Sequence, residues 1–194
     1  MKIAIIGAGG FARELASYID GETLFFVDDR PRDPEKNIYH ISEIKIEEFE
    51  VLVAIGDSKT RSEIVARLPD GIKFHTFIHK SAYVGSDVKL GEGSIVCPGA
   101  VLTTNITTGK HAQIHASSVV GHDTSLGDFV TVSPGACVSG ANMISSRVYL
   151  GTNSTTKQGV SICSDVVVGL NAGVVKDILK AGVYVATPAR KINE

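Results

Sequence analysis

The sequence predicts an α/β unit with a parallel sheet, followed by a parallel β-helix built on a hexapeptide repeat. Three observations carry this. The residues at every sixth position from Ile78 to Val174 are apolar with two exceptions. Residues 1–77 alternate short apolar runs with helix-like patterns. Charge is also segregated: residues 1–77 hold 24 of the 40 charged side chains and residues 78–178 only 12. These shifts divide the chain into units 1–77 and 78–178 and a tail, 179–194.

In the first unit, Lys2–Ile6 is an Ile-rich run that Gly7-Ala8-Gly9-Gly10 breaks, so it reads as a strand and a tight turn. Phe11, Leu15, Tyr18 and Ile19 then recur at helical spacing, predicting a helix over Phe11–Ile19. Thr23–Val27 is a second strand ending in Asp28-Asp29, and Arg30–Asn37, with two prolines, is a polar loop. Val51–Ile55 is a third strand, closed by Gly56-Asp57-Ser58. Ser58 is a candidate cap for a helix through Leu68, which Pro69-Asp70-Gly71 ends. Strands alternating with helices imply a parallel sheet.

In the second unit, the six-residue series runs through 17 positions without insertion, and 15 are Ile, Leu or Val. Six residues turn an α-helix by about 600°, so this set forms no helical stripe. On strands, residues an even number apart share a face, so short strands and turns wound into a coil satisfy the pattern. Pro98-Gly99 and Pro134-Gly135 lie six hexads apart at the same hexad position, as equivalent corners two coils apart would if three hexads make a coil.

Composition excludes several classes of function. With 19 Lys+Arg against 21 Asp+Glu there is no basic surplus for nucleic acid or an anionic membrane surface. No apolar stretch approaches the length of a membrane-spanning helix, and the Met1–Ile6 run is too short for a secretory leader. Cys97, Cys137 and Cys163 are odd in number and lack metal-ligand spacing, which fits reduced thiols in a cytoplasm and no bound metal. None has a positioned base in its hexad, so a covalent Cys relay is disfavoured.

The hexads Val84-Gly85, Leu90-Gly91, Val120-Gly121, Leu126-Gly127, Leu150-Gly151 and Val168-Gly169 resemble those of the left-handed β-helix acyltransferases. The opening Ile6-Gly7-Ala8-Gly9-Gly10, with Phe26-Val27-Asp28-Asp29 and Ala54-Ile55-Gly56-Asp57, is similar to a short Rossmann-like domain. Together with the tail Val183–Arg190, this layout resembles the sialic acid O-acetyltransferase family and its branch of UDP- or dTDP-4-amino-sugar N-acetyltransferases. The resemblance covers nearly the whole chain. It implies left-handed coiling, a homotrimer, and acetyl-CoA as acyl donor. It also implies N-acetylation of a nucleotide-linked 4-amino-4,6-dideoxy sugar, with UDP as the expected nucleotide, in surface glycan synthesis. O-acetylation of a sialic acid and a non-catalytic nucleotide-sugar scaffold are the alternatives.

Acetyl transfer needs a base for the nucleophile's proton and a donor for the developing oxyanion. His122, in Val119-Val120-Gly121-His122-Asp123, resembles the family's catalytic His followed by an acidic residue, here Asp instead of the usual Glu. By spacing alone His122 is equally a solvated turn residue. Gly140, three hexads on, stacks over His122 if three hexads make a coil. Its N–H is a candidate donor to the thioester carbonyl, and a turn glycine at positive φ is the alternative. His115, where the family often has Asn, is a candidate acceptor-site residue, and Thr131 stands where some members have a second His. His79 and His111 read as surface residues, and His40 and His75 carry no motif. Gly151 and Gly169 are candidate close-approach positions for the pantetheine arm. Arg190 and Lys191 are candidates for the 3′-phosphate or simply a solvated basic tail. Gly7, Gly9 and Gly10 offer backbone N–H groups to a diphosphate, Asp28-Asp29 a carboxylate to ribose or base, and Gly56, Asp57 and Ser58 line the same mouth.

Overall fold

A computed structural model describes residues 2–27, 33–45, 47–185 and 188–191, with the Arg190 side chain excepted. Asp28 and Asp29 therefore lie outside the described residues, as does the Arg190 guanidinium.

The first unit is a four-stranded parallel sheet in the order β3-β2-β1-β4: β1 (Lys2–Ile6), β2 (Glu22–Val27), β3 (Ile38–His40) and β4 (Glu50–Val53). Helix α1 (Gly10–Ala16) follows β1, and α2 (Ser58–Val65) follows β4. Both helices are shorter than their apolar patterns. Beyond α1, Tyr18 and Ile19 donate to carbonyls three residues back, a tightened turn that ends at Asp20-Gly21. The cap of α2 is Asp57, which accepts from the Thr60 N–H at 2.7 Å, and not Ser58. The three-residue edge strand β3 follows directly on the Arg30–Asn37 loop, in a stretch to which the sequence pattern assigned no element; Asn37, at φ 56°, turns the chain into it.

The second unit is a parallel solenoid of two-residue strands, three residues at Val166–Val168, from Phe77–Ile78 to Gly173–Val174, with the six-residue series on the inside beyond the half-exposed Ile78. Each strand pairs with the strand three hexads away, as Gln113↔Thr131 and Val119↔Cys137 do, so three hexads make a coil. The coils build a prism with three sheets, running through 113–114, 119–120 and 125–126. Its corners need a left-handed backbone residue at every sixth position from Gly93 to Asn171. Only four of these are glycine, two of them in the Pro-Gly turns; the rest include Asn105, Asp123, Phe129 and Ala141. Residues Gly182–Val185 and Arg190–Lys191 extend the first sheet past the last full coil.

The N-terminal unit covers the first sheet of the prism. Ile3, Ile5, Leu52 and Ala54 from its sheet and Ala12 and Leu15 from α1 share one core with Ile95 and Cys97. The Gln113 side chain donates to the Val53 carbonyl at 2.9 Å across this seam. Among the described residues no helix is long and apolar enough to cross a membrane.

Candidate active site

A cavity of about 410 Å³ opens at the carboxyl ends of β1, β2 and β4. The strand order reverses at β1, the position where open parallel sheets form a ligand crevice. Gly7, Ala8, Gly9, Val27, Ile55 and Thr60 are among its lining residues. Gly7 sits at φ 107°, and a side chain there would press on the Ala54 carbonyl at 3.1 Å. A Cβ at Gly9, Gly10 or Gly56 would meet no other atom within 4 Å, so those backbones are bare. Asp57 is committed to α2: its bond from Thr60 holds its carboxyl below the usual range.

The second cluster lies at the prism edge between the second and third sheets. His122 Nδ1 and Asp123 Oδ2 are 2.7 Å apart, and both side chains are half exposed. Asn105, one coil earlier, donates from Nδ2 to Asp123 Oδ1 at 2.7 Å. The Asp123 carboxyl is held below its ordinary range, first by Asn105 and then by His122. With Asp123 accepting at Nδ1, the imidazole presents its Nε2 lone pair outward. Gly140 lies one coil on, against the face of the pair opposite to Asn105: a Cβ there would stand 2.6 Å from His122 Cε1 and Nε2. Gly140 has no positive φ; the left-handed corner is Ala141, so the turn-glycine explanation does not apply. The Gly140 N–H makes no hydrogen bond among the described residues.

Residues 2–68 match the PglD N-terminal domain family. The acetyltransferase domain of PglB from Neisseria gonorrhoeae FA1090 superposes with a TM-score of 0.90, at 29% identity over 98% of this chain and 99% of that one. In its complex with acetyl coenzyme A the figures are 0.89, 30%, 98% and 98%. This chain belongs to the NeuD/PglD-like family of sugar N-acetyltransferases. PerB from Caulobacter crescentus, in complex with CoA and GDP-perosamine, is 26% identical with a TM-score of 0.91 over 100% of this chain and 98% of that one. The solenoid is accordingly the left-handed β-helix of the hexapeptide acetyltransferases.

The other expected site residues fall elsewhere in the chain. Gly151 and Gly169 stack on each other at the edge between the first and second sheets, one edge away from His122. A Cβ on Gly151 would meet the Val168 carbonyl oxygen at 2.7 Å, so close approach of the next coil already requires that glycine. His115 is buried, its ring 4.5 Å from that of Phe11 on α1. Burial, with a smaller push from Arg61, lowers its pKa to about 4. His111 is not a surface residue: it is 2% exposed, stacked on Phe129 and edge-on to Phe74, because α2 and the Phe74 segment close over that corner. His79 instead meets Ser81 and Tyr18, and His75 meets Glu50. Burial pushes the Cys97 thiol up to about 12, which removes it as a nucleophile. Among the described residues no group of His, Cys, Asp and Glu is arranged to hold a metal.

Two features escaped the sequence reading. Arg61 on α2 is fully buried and donates to carbonyls of both units: Ile55 and Gly56 beside the cavity, and His111, Phe129 and Val130 on the solenoid. It also donates to the Thr131 hydroxyl, which in turn donates to the Gly56 carbonyl. A single Arg on a polar helix carries no sign of this in sequence. Asn105, in contrast, was findable, because the three-hexad period places it directly below Asp123.

Proposed function

We propose that this protein transfers the acetyl group of acetyl-CoA to the 4-amino group of a nucleotide-linked 4-amino-4,6-dideoxy sugar, for a surface glycan. The observation that carries the reading is the His122–Asp123 pair stacked on Gly140, whose N–H makes no hydrogen bond among the described residues, on a prism edge. The chain's end-to-end match to acetyltransferases supports it, including one bound to acetyl coenzyme A and one to CoA and GDP-perosamine. UDP is the expected nucleotide and GDP, the nucleotide of the Caulobacter relative's ligand, the competitor. Both cosubstrates are cytoplasmic metabolites, so the reaction belongs to the cytoplasm.

The amine lone pair attacks the thioester carbon, and a C–N bond forms as the carbonyl becomes an oxyanion. The Gly140 N–H is the donor for that oxyanion. His122 Nε2 takes the proton released by nitrogen, and Asp123 steadies the imidazolium through Nδ1. Collapse breaks the C–S bond, and CoA leaves with the proton from His122.

A homotrimer is part of the proposal. The nucleotide cavity belongs to the unit that covers the first sheet, whereas His122 projects from the opposite edge of the prism. One protomer therefore keeps its sugar cavity and its base on opposite sides of the solenoid. A closed ring that brings one protomer's cavity against its neighbour's His122 edge unites them.

The test is CoA-thiol release from acetyl-CoA with UDP- and GDP-4-amino-4,6-dideoxy sugars, beside free sialic acid. Release with an amino sugar, reduced by about 10²–10⁴ in His122→Ala, is expected. Release only with sialic acid would overturn the acceptor, and binding of both substrates without release would favour a scaffold.

A further inference from the structure

The edge that bears His122 also carries a polar ladder that the steps above do not use. It has one rung per coil. Asp87 Oδ2 accepts from the Asn105 backbone N–H at 2.9 Å and from the Thr104 hydroxyl at 2.7 Å. Asn105 Nδ2 donates to Asp123 Oδ1, and Asp123 Oδ2 meets His122 Nδ1, each at 2.7 Å. Asn105 and Asp123 occupy successive left-handed corners, at φ 51° and 59°, a conformation that Asn and Asp tolerate better than most residues. On the far side of His122 the corresponding corners are Ala141 and Gly159, so the ladder ends at the imidazole.

Asp is one methylene shorter than Glu, and its carboxylate sits close to a half-exposed backbone corner. With water competing for both oxygens, it would exchange them by rotation and leave the imidazole for part of the time. Asn105 occupies one oxygen from below and so directs the other to Nδ1. A neutral amide does this without adding a charge beside the base.

We propose that Asn105 is a positioning residue for acetyl transfer, acting through Asp123 on His122. This rests on the assignment of His122 as the base. Asp87 holds Asn105 in turn by pinning its backbone N–H.

The experiment is steady-state kinetics on Asn105→Ala, Asp123→Ala, the double variant, the near-isosteric Asn105→Asp and His122→Ala. Asn105→Ala is expected to lower kcat by about ten- to a hundredfold, with KM for both substrates changing by less than about twofold. In the Asp123→Ala background the same substitution is expected to add less than about twofold, because the group it positions is gone. Asn105→Asp sets a carboxylate against a carboxylate and loses at least as much kcat. Unchanged kcat in either Asn105 variant would overturn the proposal, as would a full-sized further loss in the double variant. Wild-type activity in His122→Ala would instead overturn the base assignment itself.

Discussion

At the scale of single residues, Gly140 is the proposed oxyanion donor. Its backbone is in a conformation any residue adopts, so it is glycine for space alone. A methyl there would enter the volume now taken by the His122 ring, whose edge it would meet at 2.6 Å. The ring is half exposed and able to swing out, so the coil survives the insertion while the base and the oxyanion donor lose their alignment. Gly140→Ala is therefore expected to lower kcat by about a hundredfold, the scale on which a lost oxyanion contact acts. Thermal unfolding should stay within about 2 °C of wild type, the shift that a few tenths of a kcal/mol gives. A melting point lowered by many degrees would show that glycine serves the coil instead.

At the scale of elements, α2 fastens the cavity at the carboxyl ends of β1, β2 and β4 to the solenoid. Arg61 has no carboxylate partner among the described residues. Burial lowers its pKa to about 9, with Asp57 opposing, yet its donors are spread over carbonyls of both units. Arg61→Ala strips those carbonyls of a buried donor and is expected to cost about 3 kcal/mol in denaturant unfolding. Arg61→Lys should recover only part, since one ammonium does not span both sides as a planar fork does. Full stability in Arg61→Ala would show that the seam is held by its apolar contacts alone. Legibility in the sequence follows the same divide. The coil could be read because a two-residue strand in a narrow prism favours an apolar inner residue, as Val96, Ile114 and Val132 show, with Thr108 and Thr156 the exceptions. His122, Asp123 and Gly140 could be placed on one edge because the three-hexad period is rigid. The docking face could not be read: Ile95, Gln113 and Thr131 point outward from the coil, and only the arrival of the N-terminal sheet buries them. The end of α2 and the short β3 were lost for a related reason, since tertiary contacts and not local pattern set their length.

At the scale of the whole molecule, the seam between the two units carries two buried histidines, which ties the docking of the first unit to pH. His111 lies between Phe74 and Phe129, and His115 lies against Phe11 on α1. Burial first, then the Arg61 charge, lowers both from an ordinary 6.5 to about 4; Lys110 adds to the effect at His111 and Asp128 opposes it. Between pH 6.5 and 4 the unfolded chain therefore binds more protons than the folded one. Stability is complete above about pH 6.5 and falls as the solution is acidified towards 4. Each histidine contributes up to about 3 kcal/mol to that loss. Both sit where the first unit meets the solenoid, so acid should part the seam before it uncoils the prism, whose interior series is apolar. The check is the urea midpoint from pH 7 to 4 at fixed ionic strength, for wild type and for His111→Phe with His115→Phe. A falling wild-type curve and a flatter variant curve are expected. Parallel curves would assign the acid sensitivity to surface carboxylates and leave these two rings as inert packing.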